Sequence, residues 1–127
     1  VNVFAQFFAE NITNEDCWFW QSTDGNYHAL SHRMTPADRE SAVCGGHAFA
    51  TSLTNWSYAL PPAYNRTVDV KGAATPLPLM RRERPQLCLG GPNNSPQVLY
   101  TAVQVDGRPP FTFAQRLGQG GASMGEK

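Results

Sequence analysis

Two short blocks of the sequence place carboxylates at the start of a strand pattern. Residues 14–20 contain Glu15 and Asp16 before an aromatic run, and residues 81–87 contain Glu83 among three arginines. Each block continues into a turn rich in Gly or Asn and then into a second strand pattern. A unit that recurs in this form is typical of successive sheets that each deliver one acid to a shared central hollow. Asp16 and Glu83 are the acids expected at matching places in the two units.

The three histidines and several aromatic residues form a second candidate set. A period of two predicts that His28 and His32 share one face of a strand, and His47 follows a Gly-Gly pair. These histidines are suited to lining a hollow, to holding a sugar hydroxyl or a cation, or to being hydrogen-bonded wall residues; no metal site is predicted. Four aromatic side chains could stack on sugar rings or fill the space between sheets: Trp18, Trp20, Trp56 and Tyr64.

The elements that must position these residues are short strands, and they predict an all-β fold. An Asp-Gly turn at 24–25 predicts a β-hairpin, and residues 34–40 have the pattern of one capped helical turn. Eleven Gly and ten Pro leave no room for a helix of ordinary length. The spacing indicates a sandwich, a barrel or a propeller. Strands are predicted at 3–8, 17–21, 27–32, 47–51, 56–59, 67–70, 76–80, 86–89, 97–103 and 111–115.

Composition excludes several classes of function. Ten Lys and Arg balance ten Asp and Glu, so no net charge attracts nucleic acid, and the arginines near position 82 are too few to do so. No stretch approaches the ~20 apolar residues that a membrane span needs. Phosphate-binding loops and Ser/His/Asp triads are absent, and no cofactor is predicted.

Sequons and cysteines predict a secreted, N-glycosylated protein. Three cysteines in an oxidising compartment would leave one free or bonded elsewhere; Cys17–Cys44 is the favoured pair and Cys88 the odd residue, although spacing does not fix the pairing. The start at Val1, without a signal-peptide pattern, predicts that an upstream segment has been removed. Four Asn-x-Ser/Thr sites carry the prediction of N-linked glycans: Asn11, Asn55, Asn65 and Asn93.

Three ordered blocks resemble the five-bladed β-propeller glycoside hydrolases, the arabinanase/β-xylosidase and invertase-like families. The blocks are residues 15–17 (Glu-Asp-Cys), 45–50 (Gly-Gly-His-Ala-Phe-Ala) and 81–85 (Arg-Arg-Glu-Arg-Pro). They are similar to a less characterised branch of these families, and the resemblance spans about residues 15–103. The chain departs from the family pattern at Cys17, where the family has Pro.

The resemblance implies roles for individual residues. Glu83 is expected to be the general acid of glycoside hydrolysis, and Asp16 an orienting or pKa-tuning carboxylate; the alternative for Glu83 is a structural ion-pair hub. Arg82 and Arg84 alternate with Glu83, so they are expected to point away from it and to brace neighbouring sheets through acids such as Glu15. The candidate substrate-binding residues are Arg82, Arg84, His28, His47, Trp18 and Tyr64.

Length limits what this chain can form. A blade needs ~40–45 residues, so residues 1–117 are expected to supply two to three blades of an incomplete five-bladed β-propeller, and residues 118–127 a flexible Gly-rich tail. The rest of the propeller would come from its missing remainder or from other extracellular chains.

Three functions follow from these expectations. The first is a secreted glycosidase-like propeller segment that acts on or binds extracellular glycans. The alternative is a non-catalytic glycosylated structural or carbohydrate-binding component of an extracellular assembly; an upstream Asp at the start of a strand would favour the enzyme. The third is a viral or cell-surface glycoprotein sandwich, which would show two packed sheets without a radial arrangement.

Overall fold

The computed structural model describes residues 13–34, 45–59, 61–70 and 72–118. These residues form three antiparallel sheets, none of them closed, and the all-β prediction is confirmed. No helix within these ranges is long and apolar enough to span a membrane. A 3-10 turn at Pro92–Asn94 separates two of the strands. The strands are β1 (Thr13–Gln21), β2 (Tyr27–Met34), β3 (Gly45–Ser52), β4 (Asn55–Ala59), β5 (Thr67–Val68), β6 (Leu77–Pro78), β7 (Arg81–Leu89), β8 (Pro96–Gln104) and β9 (Phe111–Arg116).

Each larger sheet follows the order of the chain. Strands β1-β2-β3-β4 form the first sheet, β7-β8-β9 form the second sheet, and β5 and β6 form a two-stranded ribbon between them. The predicted hairpin between β1 and β2 is confirmed: it turns at Asp24-Gly25, where Gly25 has a φ of 89° that suits glycine. Consecutive strands are therefore neighbours in both sheets, which keeps the connections short.

The first strands of the two larger sheets carry the same irregularity. The pairing of β1 with β2 shifts between Glu15 and Trp18, and the pairing of β7 with β8 shifts between Glu83 and Gln86. Each shift places one extra residue in the first strand, which is a β-bulge. In both strands the residue after the Glu has a φ of 54°. The two strands are therefore equivalent, and Glu15 of β1 occupies the same position as Glu83 of β7.

The two larger sheets pack with different faces in contact. Leu30 of the first sheet and Leu87 of the second belong to the same buried cluster. In the register set by the bulges, Leu30 corresponds to Tyr100, which is 40% exposed on the far side of the second sheet. Leu87 corresponds to Phe19, which is 46% exposed on the far side of the first sheet. One face of the first sheet therefore packs against the non-equivalent face of the second sheet, an arrangement that we call head-to-tail packing. Each sheet keeps its other face on the outside.

The turns at one end of the two sheets also correspond and touch each other. The Thr23 backbone N–H donates to the Asn93 carbonyl at 3.3 Å, and the Thr23 hydroxyl donates to the Asn93 side-chain oxygen at 3.2 Å. The Asn94 side-chain amide donates to the Gln21 carbonyl at 3.1 Å. These bonds join the β1–β2 turn to the β7–β8 turn, so the corresponding ends of the two sheets lie side by side.

Most predicted strands lie close to observed ones, and one difference has a clear physical cause. The pattern predicted a break before residue 86, whereas β7 begins at Arg81 and runs through Pro85. Proline has no N–H for the ladder, but Pro85 lies in the bulge, where a paired N–H is not required. The predicted strand at 3–8 and residues 35–40 of the predicted helical turn lie outside the described residues, and Met34 ends β2.

Candidate functional site

The bulge of β1 brings together two carboxylates and a histidine. Glu15 pairs with His32 across the two strands, and Glu15 Oε1 lies 3.0 Å from His32 Nδ1. Asp16 occupies the next position, and the ligand atoms of these three residues lie within 4.8 Å of one another. Two carboxylates and an imidazole at these distances could hold a metal cation, although two of the three side chains are exposed. We refer to Glu15, Asp16 and His32 as the acidic bulge.

Glu83 occupies the corresponding place in β7. Its carboxylate accepts an ion-pair contact from Arg81 Nε at 3.4 Å, and its side chain is 24% exposed. The sequence analysis matched Glu83 with Asp16, but the structural counterpart of Glu83 is Glu15 and the counterpart of Asp16 is Arg84. The difference arises because the extra bulge residue follows each Glu.

Arg82 is a buried link between the second sheet and the segment before it. Only 2% of Arg82 is exposed. Its guanidinium donates to the Thr101 hydroxyl at 3.3 Å, to the Asn65 carbonyl at 2.8 Å and to the Gln115 side-chain oxygen at 2.6 Å. Its central carbon also lies 4.9 Å from the centre of the Tyr64 ring, a cation–π geometry. These contacts indicate that Arg82 stabilises the packing between the second sheet and the segment that contains Tyr64 and Asn65.

Arg84 does not share that position. The sequence analysis expected Arg82 and Arg84 to point to the same side because residues alternate along a strand. Arg82 is buried, whereas Arg84 is exposed in the bulge, where its φ is 54°, so the two arginines have different surroundings. The bulge interrupts the alternation between them. Substrate binding by either arginine stays a prediction.

His28 and His47 form a hydrogen-bonded pair beneath an indole. His28 Nδ1 lies 3.2 Å from His47 Nε2, the ring planes differ by 7°, and the ring centres are 5.5 Å apart. The distance between the two ring centres exceeds the distance between the two nitrogens by about the sum of the two ring radii. The centres and nitrogens therefore lie on one line, as in an N–H···N hydrogen bond. Trp20 stacks on both rings, at 4.8 Å from His28 and 5.9 Å from His47.

A turn of polar residues extends this pair toward the surface. Ser22 Oγ donates to the Asp24 carboxylate and lies 3.1 Å from the Asn26 carbonyl, both of which only accept. Ser22 Oγ also lies 3.2 Å from His28 Nε2. Because the single Ser22 proton is already committed to these acceptors, the bond to His28 requires that Nε2 of His28 donate. His28 Nδ1 must then accept, so Nε2 of His47 is the donor in the pair.

The electrostatics agree with two neutral imidazoles. Burial lowers the pKa of His28, against the opposing effect of Asp24. Burial and the neighbouring His28 lower the pKa of His47. The hydrogen bond from Ser22 lowers the pKa of Asp24, so this carboxylate is ionised at neutral pH. We refer to Asp24, Ser22, His28 and His47 as the histidine relay.

His47 ends the histidine relay at an apolar pocket between the two larger sheets. The pocket has a volume of about 410 Å³. Its walls combine Trp20 and Leu30 from the first sheet with Leu87 from the second and Tyr64 from the intervening segment. The Tyr64 hydroxyl donates to the Ser31 carbonyl at 3.2 Å. The remaining lining residues are Ala59, Pro61, Pro62, Ala63, Pro96, Leu99 and Leu117.

Tyr64 is held in this position by a close backbone approach. The Gly45 N–H donates to the Tyr64 carbonyl at 3.0 Å, and the Ala63 N–H donates to the Gly45 carbonyl at 3.0 Å. A Cβ at Gly45 would collide with the Tyr64 ring and with its backbone nitrogen. Glycine is therefore required here for space.

The other predicted site residues are distributed over the molecule. Tyr64 is 6% exposed and belongs to the buried cluster, against which Trp18 packs. Burial, and then Asp16, raises the pKa of the Cys17 thiol. Cys17 and the exposed Cys88 form no disulfide with each other, whereas Cys44 lies outside the described residues, so the Cys17–Cys44 pairing stays a prediction. Of the sequons, Asn11 also lies outside, and three acceptors are exposed: Asn55, Asn65 and Asn93.

Sequence reasoning missed Ser22 and Asp24 as members of a site. Both lie in the turn that the pattern predicted, and Ser and Asp are common turn residues that bond to nearby backbone groups. The signal that could have found them is the position of Ser22, directly after β1 in the short turn that leads to His28 near the start of β2.

No family model, curated protein or solved structure matches the chain, so its relationship to the propeller glycosidases stays a prediction.

Proposed function

We propose that this chain is a secreted, glycosidase-like β-propeller segment that acts on or binds extracellular glycans. The observation that carries the proposal is the repetition of one unit: Glu15 and Glu83 occupy the same bulge in two sheets that pack head to tail. A propeller repeats one sheet around an axis, so each sheet contacts its neighbours through two different faces and offers the same strand to the centre. Two sheets related in this way support a radial arrangement.

The acids supply the chemistry of this proposal. Glycoside hydrolysis uses one protonated carboxyl group and one ionised carboxylate on either side of the scissile bond. Glu83 is the proposed general acid, and Asp16, in the acidic bulge, is the proposed orienting carboxylate. Asp16 lies in β1 and Glu83 in β7, and the sheets that begin with these strands share one buried cluster, so the two acids belong to neighbouring sheets.

The experiment compares hydrolysis of arabinan, xylan and fructoside substrates by the secreted protein and by its Glu83→Gln variant. The variant is expected to lose at least a hundredfold in rate, because a general acid typically contributes 10²–10⁴-fold. Asp106→Asn is the matched control, since Asp106 is an exposed carboxylate in the β8–β9 turn. Full activity in Glu83→Gln, with wild-type folding by circular dichroism, would remove Glu83 from this role.

The contact between Arg81 and Glu83 favours a second candidate, a non-catalytic carbohydrate-binding or structural component. The 3.4 Å contact makes Glu83 part of an ion pair within β7, which is the structural role that the sequence analysis gave as its alternative. This candidate predicts glycan binding on an oligosaccharide array without turnover of any glycoside. Turnover that depends on Glu83 would exclude it.

Secretion and N-glycosylation belong to the same proposal, and the exposure of three sequon asparagines supports them. Expression in a secretory cell line is expected to give a product whose mass falls on treatment with an N-glycosidase. Asn55→Gln, Asn65→Gln and Asn93→Gln should each remove one glycan if the corresponding site is used. A product of unmodified mass would contradict the proposal.

A further inference from the structure

The histidine relay leaves one nitrogen of His47 as an acceptor. The direction of donation runs from His47 to His28, from His28 to Ser22 and from Ser22 to Asp24. A neutral imidazole carries one N–H, and in His47 that N–H is on Nε2. Nδ1 of His47 therefore carries a lone pair, and it points away from His28 because Nε2 points toward it.

The pocket around His47 has the size and composition of a site for a small aromatic molecule. About 410 Å³ lies within the range of known small-molecule pockets, which are mostly apolar with a few polar groups. Trp20 and Tyr64 contribute aromatic side chains to the lining, and prolines 61 and 62 contribute apolar rings. A planar ring matches these walls better than a sugar, whose hydroxyl groups would lose their hydrogen bonds in such a lining.

From these observations we infer that the pocket binds a small aromatic molecule with one hydroxyl donor, a phenol, whose O–H donates to Nδ1 of His47. Asp24 lies at the surface end of the histidine relay and is ionised, so it can only accept a hydrogen bond. It therefore determines the direction of donation in every hydrogen bond of the relay. Trp20 fixes the planes of both imidazoles from one side. The site is independent of the acidic bulge and of the proposed glycan binding.

The first test compares para-ethylphenol with its methyl ether by isothermal titration calorimetry on the full chain. The two ligands have similar shapes, but the ether has no O–H. The wild-type protein is expected to bind the phenol about tenfold more tightly, the contribution of one buried hydrogen bond. Equal affinities, or no binding of either ligand, would overturn the inference.

The second test removes the acceptor. His47→Phe keeps a ring beneath Trp20 but has no nitrogen, so the preference for the phenol should disappear, whereas His32→Gln, outside the pocket, should keep it. A phenol preference that persists in His47→Phe would overturn the inference.

The third test needs no change in the pocket. Nitrogen-15 NMR of histidine-labelled wild-type protein is expected to show His47 with its proton on Nε2. In Ser22→Ala, a change in an exterior turn, the fraction of that tautomer and the phenol preference should both fall. A proton on Nδ1 of His47 in the wild-type protein would overturn the inference even if His47→Phe failed to fold.

Discussion

The burial of Arg82 gives a prediction whose magnitude follows from its contacts. Arg82→Met keeps most of the side-chain volume but removes the donors to Thr101, Asn65 and Gln115. Replacing a buried charge by an apolar side chain recovers its desolvation cost, but the part-buried hydrogen bonds to the Asn65 carbonyl and the Gln115 amide oxygen are lost. A hydrogen bond that involves a charged group contributes about 1.5–3 kcal/mol. We expect the free energy of unfolding to fall by about 3 kcal/mol.

Urea denaturation followed by tryptophan fluorescence measures this change. With a dependence of about 1–3 kcal/mol per molar urea, the midpoint should fall by roughly 1–3 M. Arg84→Met is the matched control: the same substitution at an exposed arginine of the same strand should change stability by no more than about 0.5 kcal/mol. If the two variants have equal midpoints, the buried contacts of Arg82 do not stabilise the fold and the reasoning fails.

Two further predictions concern the packing around Tyr64 and the ionisation of the histidine relay. Gly45→Ala should destabilise the protein by more than about 2 kcal/mol because its Cβ meets Tyr64, whereas Gly118→Ala, with open space around it, should have little effect on the urea midpoint; equal midpoints would refute the steric argument. Burial lowers the pKa of His47 in the folded chain, so the unfolded chain binds more protons below about pH 6.5. Stability should therefore fall as the pH decreases from about 6.5 toward the lowered pKa of His47 in the folded chain. The fall should be smaller in His47→Phe, and an identical pH profile for that variant would show that His47 is not its source.

The strands were predictable because their signals are local. Turn residues such as Gly25 mark where strands end, and alternating apolar residues mark strand interiors, so most elements could be placed before the structure was known. The bulges were not predictable, because Arg84 has a positive φ without glycine and a bulge shifts alternation by one residue. The match of Glu83 with Asp16 was wrong by that same residue.

The candidate site was less predictable than the fold because it depends on contacts between distant segments. The sequence identified His28 and His47 as candidates, but their contact requires the register of β2 with β3 across residues 35–44. The buried position of Arg82 likewise depends on Asn65 and Gln115, which lie 17 and 33 residues away along the chain. Pairings of this kind carry no periodic signal in the sequence.

Head-to-tail packing has a consequence for the protein in isolation. When two copies associate through unlike faces, each end of the pair still carries one free face, whereas a twofold contact uses both faces at once. Association through unlike faces therefore continues until a ring closes or another group covers the end. With Phe19 at one end and Tyr100 at the other, each copy of the chain offers both halves of such a contact. At high concentration, we expect copies of the chain to polymerise into open filaments, and a polar substitution at either aromatic residue to keep them monomeric.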